Sequence, residues 1–185
     1  KQNIITDRIG LQIDFEDWEA SIRLKKKAPM QYNIVNIVPH ERMHGLNGYA
    51  EVMESLQWGL ASLGHSAILS KNTIDSQATN IIFGAQMMDL DQIRQLPQGT
   101  IIYNLEQMRN LQPEELRESL RHIASAGPCL QVWDYSTGNL AAWKSLGRET
   151  VSHFPISYSP NLSRISSVKN HDIDVLIYGL TNEQR

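Results

Sequence analysis

The sequence has little cysteine, no long apolar run and no excess of one charge. Its single cysteine, Cys129, cannot form an internal disulfide, which excludes a disulfide scaffold. No apolar stretch approaches the roughly 20 residues that cross a bilayer. The 17 basic and 20 acidic residues leave a net charge of -3, which gives no positive field for nucleic acid. We therefore expect a cytoplasmic protein without a transmembrane segment or a nucleic-acid partner.

The composition is that of an ordinary globular protein. Of the 185 residues, 41% are hydrophobic and 20% are charged, which suits one domain better than two complete ones. The chain begins at Lys1, without an initiator methionine or the layout of a signal peptide. We therefore expect it to be a piece of a longer protein.

Residues 1–31 form a predicted helical extension before the main domain. Apolar side chains recur there at spacings of three and four, at Leu11, Phe15, Trp18 and Ile22. This spacing predicts one amphipathic helix. The prediction favours docking of its apolar stripe on the neighbouring core over binding to a membrane surface or to a partner.

Residues 32–159 show short Ile- and Val-rich runs that alternate with helical stretches. The predicted strands are 34–38, 67–69, 80–84, 100–105, 130–133 and 151–156, and the predicted helices are 49–63, 90–96, 113–126 and 139–146. This alternation is typical of an α/β protein. We expect an open, mainly parallel Rossmann-like sheet with helices on both faces.

The sequence pattern changes after this domain. Residues 160–171 are polar and rich in serine without periodicity, which suits a linker. Residues 172–185 begin with a short acidic and apolar run that ends in a glycine, as the first strand of a new alternating unit would. The prediction is a second lobe that is truncated after its first strand.

Residues that follow strands are the first place to look for chemistry, because open parallel sheets bind ligands outside the carboxyl ends of their strands. After the first strand, a loop with Gly45, Asn47 and Gly48 leads into a helix. Glycines let the backbone approach a ligand, and a helix start favours an anion. We predict substrate contacts there. The alternative is a connecting loop whose glycines only satisfy turn geometry.

Two further segments follow strands and carry polar groups. Glu106 follows the fourth strand and could act as a general base, although a capping or ion-paired carboxylate is an equal alternative. Asp134, Tyr135 and Ser136 follow the fifth strand and suit sugar recognition, although Asp134 could simply start a turn. With His44, Glu106 and Asp134 are the candidate catalytic residues, and we expect the segments to line one cleft.

The loop after the first strand also contains an HExxH pattern, at residues 40–44. In zinc peptidases both histidines of this pattern lie on one face of a longer helix. Here Pro39 precedes the pattern and Gly45 follows it, which leaves room for barely one turn. A zinc-dependent hydrolase that uses His40, Glu41 and His44 is therefore the weakest alternative, and we predict a loop without bound metal.

Four segments in order resemble bacterial glycosyltransferases of the GT-B type, in the group of spore-maturation-like proteins. They are residues 100–107, 132–136, 154–160 and 172–179, and the resemblance covers residues 32–185. It implies two Rossmann-like lobes across a cleft. The acceptor would bind mainly to the first lobe and the nucleotide sugar mainly to the second.

The resemblance implies that this chain is the acceptor lobe and is not competent alone. Its partners would be a nucleotide-sugar donor, a hydroxyl acceptor and the missing C-terminal lobe of the same chain. The donor would be a co-substrate, with no tightly bound cofactor and no obligatory metal. A noncatalytic Rossmann-like domain that binds a partner or ligand in a larger assembly is the main alternative.

Overall fold

The structure is a computed structural model that describes residues 28–38, 48–108, 114–126 and 130–164. The strands are β1 (Gln31–Asn36), β2 (Ser66–Lys71), β3 (Thr79–Phe83), β4 (Ile101–Asn104), β5 (Gln131–Asp134) and β6 (Ser152–His153). The helices are α1 (Ala50–Ser62), α2 (Leu90–Arg94), α3 (Glu114–Ser125) and α4 (Leu140–Ser145). Short 3₁₀ turns occupy Ala85–Met87, Thr137–Asn139 and Pro160–Leu162.

All six strands are parallel and lie in the order β2-β1-β3-β4-β5-β6. In β1, Ile34 pairs with Leu69 of β2 on one side and with Ile81 of β3 on the other. The chain therefore moves outward from β1 to β2 and then returns to build the rest of the sheet on the other side. This reversal places a topological switch point between β1 and β3, where open α/β sheets bind ligands.

Helices cover both faces of the sheet, as predicted. Neighbouring residues of β3 point to opposite faces, and Ile81 and Ile82 are both fully buried. Ile82 belongs to a cluster with side chains of α2, α3 and α4, whereas Ile81 packs in a second cluster with α1. The continuous apolar runs of the sequence thus reflect burial on two sides.

The first and last strands differ from the predicted bounds. β1 runs from Gln31 to Asn36 instead of the predicted 34–38, because backbone pairing with β2 starts at Gln31; its polar Asn33 is buried and donates its side-chain amide to Asn80 of β3 over 2.9 Å. β6 is only two residues long. Its pairing extends to Phe154, whose N–H donates to the carbonyl of Asp134 over 2.8 Å, and ends at Pro155, which has no N–H to donate.

The last described residues cross from β6 back to α1. The side chain of Asn161 donates to the carbonyl of Glu54 over 3.3 Å, and Arg164 pairs with the Glu54 carboxylate. The N-terminal extension up to residue 27, the end of the linker and the start of the predicted second lobe lie outside the described residues. In the part of the chain that is described, no helix is long and apolar enough to cross a membrane.

Candidate functional site

Three polar side chains meet at the carboxyl edge of the sheet, beside the switch point. Glu106 follows β4, Tyr49 precedes α1 and Gln86 lies in the 3₁₀ turn after β3. The Tyr49 hydroxyl donates to Glu106 Oε1 over 3.0 Å, and Gln86 Nε2 donates to the same oxygen over 2.8 Å. Gln86 Nε2 also donates to the Tyr49 hydroxyl over 2.9 Å. We call these three residues the Glu106 cluster.

The backbone of Glu106 is fixed by side-chain amides. Its N–H donates to Asn104 Oδ1 over 3.3 Å, and its carbonyl accepts from Asn104 Nδ2 over 3.2 Å. Asn139 Nδ2 donates to the same carbonyl over 2.8 Å. These bonds hold the turn after β4 in one shape, so the Glu106 side chain starts from a defined position.

Gly84 positions Gln86 by allowing a close backbone approach. It has φ 76°, in the left-handed region that favours glycine, and a Cβ there would lie 2.9 Å from the carbonyl oxygen of Ile37. The turn after β3 therefore passes directly against the chain that follows β1. This contact brings the 3₁₀ turn with Gln86 close to the start of α1 and to Tyr49.

Burial keeps Tyr49 protonated. Desolvation is the largest effect, and it raises the pKa of Tyr49 to about 12 against a partial lowering by the Gln86 hydrogen bond; the charge of Glu106 and the hydrogen bond to it add to the increase. Tyr49 is therefore a hydrogen-bond donor at neutral pH. Both donors of the cluster meet at Oε1, and no described residue donates to Oε2 of Glu106.

Asp134 is fully buried and accepts hydrogen bonds from four residues. Oδ2 accepts from Asn104 Nδ2 and from Trp143 Nε1, each over 2.7 Å, and Oδ1 accepts from the backbone N–H of Ser136 over 2.8 Å. Asn139 Nδ2 lies 3.0 and 3.2 Å from the two oxygens. This carboxylate joins the ends of β4 and β5 to α4. Its hydrogen bonds therefore fix the positions of the residues at the carboxyl edge of the sheet.

The structure places five of the eight predicted site residues. Glu106 and Asp134 lie at one edge and are joined through Asn104. Tyr135 is half-buried against the α1-side cluster, Ser136 Oγ accepts from Gly138 N over 3.2 Å, and Gly48 is exposed before α1. The remaining three, which are His44, Gly45 and Asn47, lie outside the described residues.

Tyr49 and Gln86 were missed at the sequence level. Gln86 follows Gly84 at the end of the third strand, so the rule that singled out Glu106 also applied to it. Tyr49 stands directly after Gly48 at a helix start. Each residue is unremarkable by itself, and only the strand order β1-β3-β4 brings the two to Glu106.

The HExxH pattern of the sequence also makes metal binding a hypothesis to examine. Among the described residues, no three or more His, Cys, Asp or Glu side chains group so that they could hold a metal ion. The HExxH residues 40–44 lie outside that part of the chain, so the loop without metal stays a prediction. Comparison with protein-family models, with curated proteins and with solved structures finds no match to this chain.

Proposed function

We propose that this chain is the acceptor-binding lobe of a nucleotide-sugar-dependent glycosyltransferase. The observation that supports it best is the Glu106 carboxylate beside the switch point, with one oxygen held by two neutral donors. A parallel sheet binds its ligand at this place. A carboxylate there is a suitable general base for a sugar or other hydroxyl acceptor.

In the proposed reaction Glu106 takes the proton of the acceptor hydroxyl. The acceptor oxygen then forms a bond to the anomeric carbon of the donor, and the bond from that carbon to the nucleoside diphosphate breaks. Tyr49 and Gln86 hold Oε1, which leaves Oε2 for the hydroxyl proton. Within this proposal Asp134 is a positioning residue, because all its hydrogen bonds serve the shape of the edge.

The remaining predicted residues complete the proposal. His44 is the alternative base, and Gly45, Asn47 and Gly48 would contact a charged part of the substrate at the start of α1. Tyr135 and Ser136 would contact the acceptor. The nucleotide sugar is a co-substrate that a second lobe after residue 171 would bind, so the chain of 185 residues would have no turnover alone.

The test uses the complete product of the gene that encodes this chain. Release of nucleoside diphosphate is measured with UDP-, GDP- and dTDP-sugars and a panel of simple glycosides as acceptors. We expect release with one donor class, lowered about a hundredfold by Glu106→Gln. Glu118→Gln, at an exposed position on α3, is the matched control and should leave the rate unchanged. Absence of release with every donor, or equal rates in both variants, would overturn the proposal.

The noncatalytic binding domain is the second candidate, and the Glu106 cluster also supports it. A carboxylate that neutral donors hold at one oxygen can accept a hydrogen bond from a ligand hydroxyl without proton transfer. Glycosides that bind to the complete protein with no release from any donor would favour this function. Chemical-shift changes at Tyr49 and Gln86 on addition of the glycoside would place the binding at the cluster.

A further inference from the structure

An apolar groove of about 370 Å³ lies on the α1 side of the sheet. One wall is α1 from Val52 onward together with Leu63, the residue that follows it, and the other is the segment 154–159 that follows β6. Tyr103 and Trp133 also line it. Phe154 stacks on Trp133 with ring centroids 4.4 Å apart and meets Tyr103 edge-on at 5.6 Å.

The groove exposes apolar surface because the helices are unevenly distributed. Within the described residues, α1 is the one helix that packs on this face, while α2, α3 and α4 pack on the other. No helix of the described residues therefore covers the α1 side of the half-sheet formed by β4, β5 and β6. Leu63 is 76% exposed and Ile156 is 52% exposed at the groove. Exposed apolar patches of this kind mark sites where another segment, protein or ligand binds.

We propose that residues 11–24 of this same chain form an amphipathic helix that lies in the groove beside α1. The first argument is the sequence. Large apolar side chains recur at helical spacing, at Leu11, Phe15, Trp18 and Ile22, and they form a single stripe. A stripe of this width needs one apolar partner surface, and the groove is of that kind. This inference does not depend on the proposed function.

The second argument is where the described chain begins. The N–H of Met30 donates to His65 Nδ1 over 3.2 Å, and its carbonyl accepts from the N–H of Ser66 over 3.0 Å. The chain therefore enters β1 next to the end of α1, where Leu63 lines the groove. Six residues from position 24 to Met30 span up to about 20 Å, whereas β4 lies about 10 Å from β1.

Length and direction agree with this placement. A helix of 14 residues is about 21 Å long, close to the roughly 17 Å between Val52 in α1 and Leu63 just after it. A helix that leads into β1 must run toward the amino edge of the sheet, as α1 does before β2. The two helices would lie side by side on one face, which is a common packing in α/β folds.

Disulfide trapping in the full chain tests the proposal. In a Cys129→Ser background, Ile22→Cys is combined with Leu63→Cys and the protein is oxidised mildly. Ile22 ends the stripe at the side nearest Leu63, so we expect an intramolecular disulfide, which requires Cα atoms within about 7 Å. Ala20→Cys with Leu63→Cys is the control, because residue 20 lies opposite the stripe. It should cross-link much less.

The outcomes separate the possible occupants. A monomeric cross-link in the Ile22 pair alone supports the proposal. Equal cross-linking in both pairs, or cross-links only between two chains, overturns it, and the second result would assign the groove to another copy. Binding of the dye ANS to the full chain gives an independent readout: Phe15→Asp should increase its fluorescence by exposing the groove, and Ala20→Asp should not. Equal fluorescence in the two variants would also overturn the proposal.

Discussion

Asn104 and Asp134 are register partners on neighbouring strands, and Asn104 Nδ2 donates to Asp134 Oδ2 over 2.7 Å. The oxygen of the same amide, Asn104 Oδ1, accepts a hydrogen bond from the backbone N–H of Glu106. The Asn104 amide thus joins the buried carboxylate of the edge to the candidate base, and Asn139 Nδ2, which donates to both Asp134 and the Glu106 carbonyl, joins them a second time. The position of Glu106 therefore depends on Asp134 through two side-chain amides.

The first prediction concerns the cost of changing this carboxylate. Asp134→Asn should lower the free energy of unfolding by about 2–4 kcal/mol. The amide nitrogen of the new side chain is itself a donor and would face N–H groups that now donate to a carboxylate oxygen. Urea unfolding at pH 7 measures it. Glu149→Gln, at an exposed position, is the control and should change stability by less than about 0.5 kcal/mol. An Asp134 variant as stable as this control would contradict the structural role.

The second prediction is a loss of stability at high pH. Burial, followed by the charge of Asp134, raises the pKa of Tyr103 to about 12, against 10.0 for a free tyrosine. The folded protein therefore holds the proton more tightly than the unfolded chain. This stabilisation is complete below pH 10 and is lost as pH rises toward 12, by up to about 1.4 kcal/mol per pH unit for each such group. Tyr49, with its pKa also raised to about 12, adds to the same slope.

Urea unfolding between pH 9 and 11 measures that slope. Tyr103→Phe should make it shallower and also lower stability at pH 7 by about 1 kcal/mol, because the hydroxyl donates to the Phe154 carbonyl over 2.8 Å. Tyr158→Phe is the matched control, since Tyr158 is largely exposed. A slope that Tyr103→Phe leaves unchanged would show that this hydroxyl does not titrate with folding.

The third prediction separates two costs of replacing glycine. Gly84 and Gly99 have φ 76° and 82°, but a Cβ at Gly84 meets the Ile37 carbonyl oxygen at 2.9 Å, whereas a Cβ at Gly99 meets nothing within 4 Å. Gly99→Ala should cost about 1 kcal/mol for its backbone conformation. Gly84→Ala should cost at least about 1 kcal/mol more, because backbone must move. Equal losses in thermal or urea unfolding would show that the contact is not tight.

The fourth prediction concerns Tyr49 and applies to the complete protein of the proposed function. Tyr49→Phe removes one donor from Glu106 Oε1 and leaves the ring in its place. We expect kcat to fall about tenfold with stability within about 1 kcal/mol of the parent protein. Tyr158→Phe should alter neither quantity. A fall in KM alone, or no change in kcat, would remove Tyr49 from a positioning role.

Local pattern was enough to predict most of the fold. β3 was placed to within one residue, because its apolar run is buried on both faces and continuous burial leaves a continuous pattern. The first half of β1 was not predicted. Its buried Asn33 is polar, and its hydrogen-bond partners, Ser70, Thr73 and Asn80, lie 37, 40 and 47 residues further along the chain. No local window contains that information.

The candidate site was predictable only in part, for a related reason. Glu106 could be named because it directly follows a strand, and that requires only the strand pattern. Its two donors come from other connections, Tyr49 from the one after β1 and Gln86 from the one after β3. They meet because β3 lies between β1 and β4, and the sequence pattern specifies strands without their order.

The Asn33–Asn80 pair has a consequence for how the sheet assembles. Strands that are apolar on both faces can slide past one another with little change in burial, so their alignment is weakly specified. Asn33 and Asn80 are opposite each other in the native alignment, and a shift of one residue would break the hydrogen bond between their side chains. Because one such hydrogen bond contributes about 0.5–1.5 kcal/mol net, misaligned intermediates are less stable than the native alignment. Two polar residues in an apolar layer thereby favour the native register of β1 and β3 during folding.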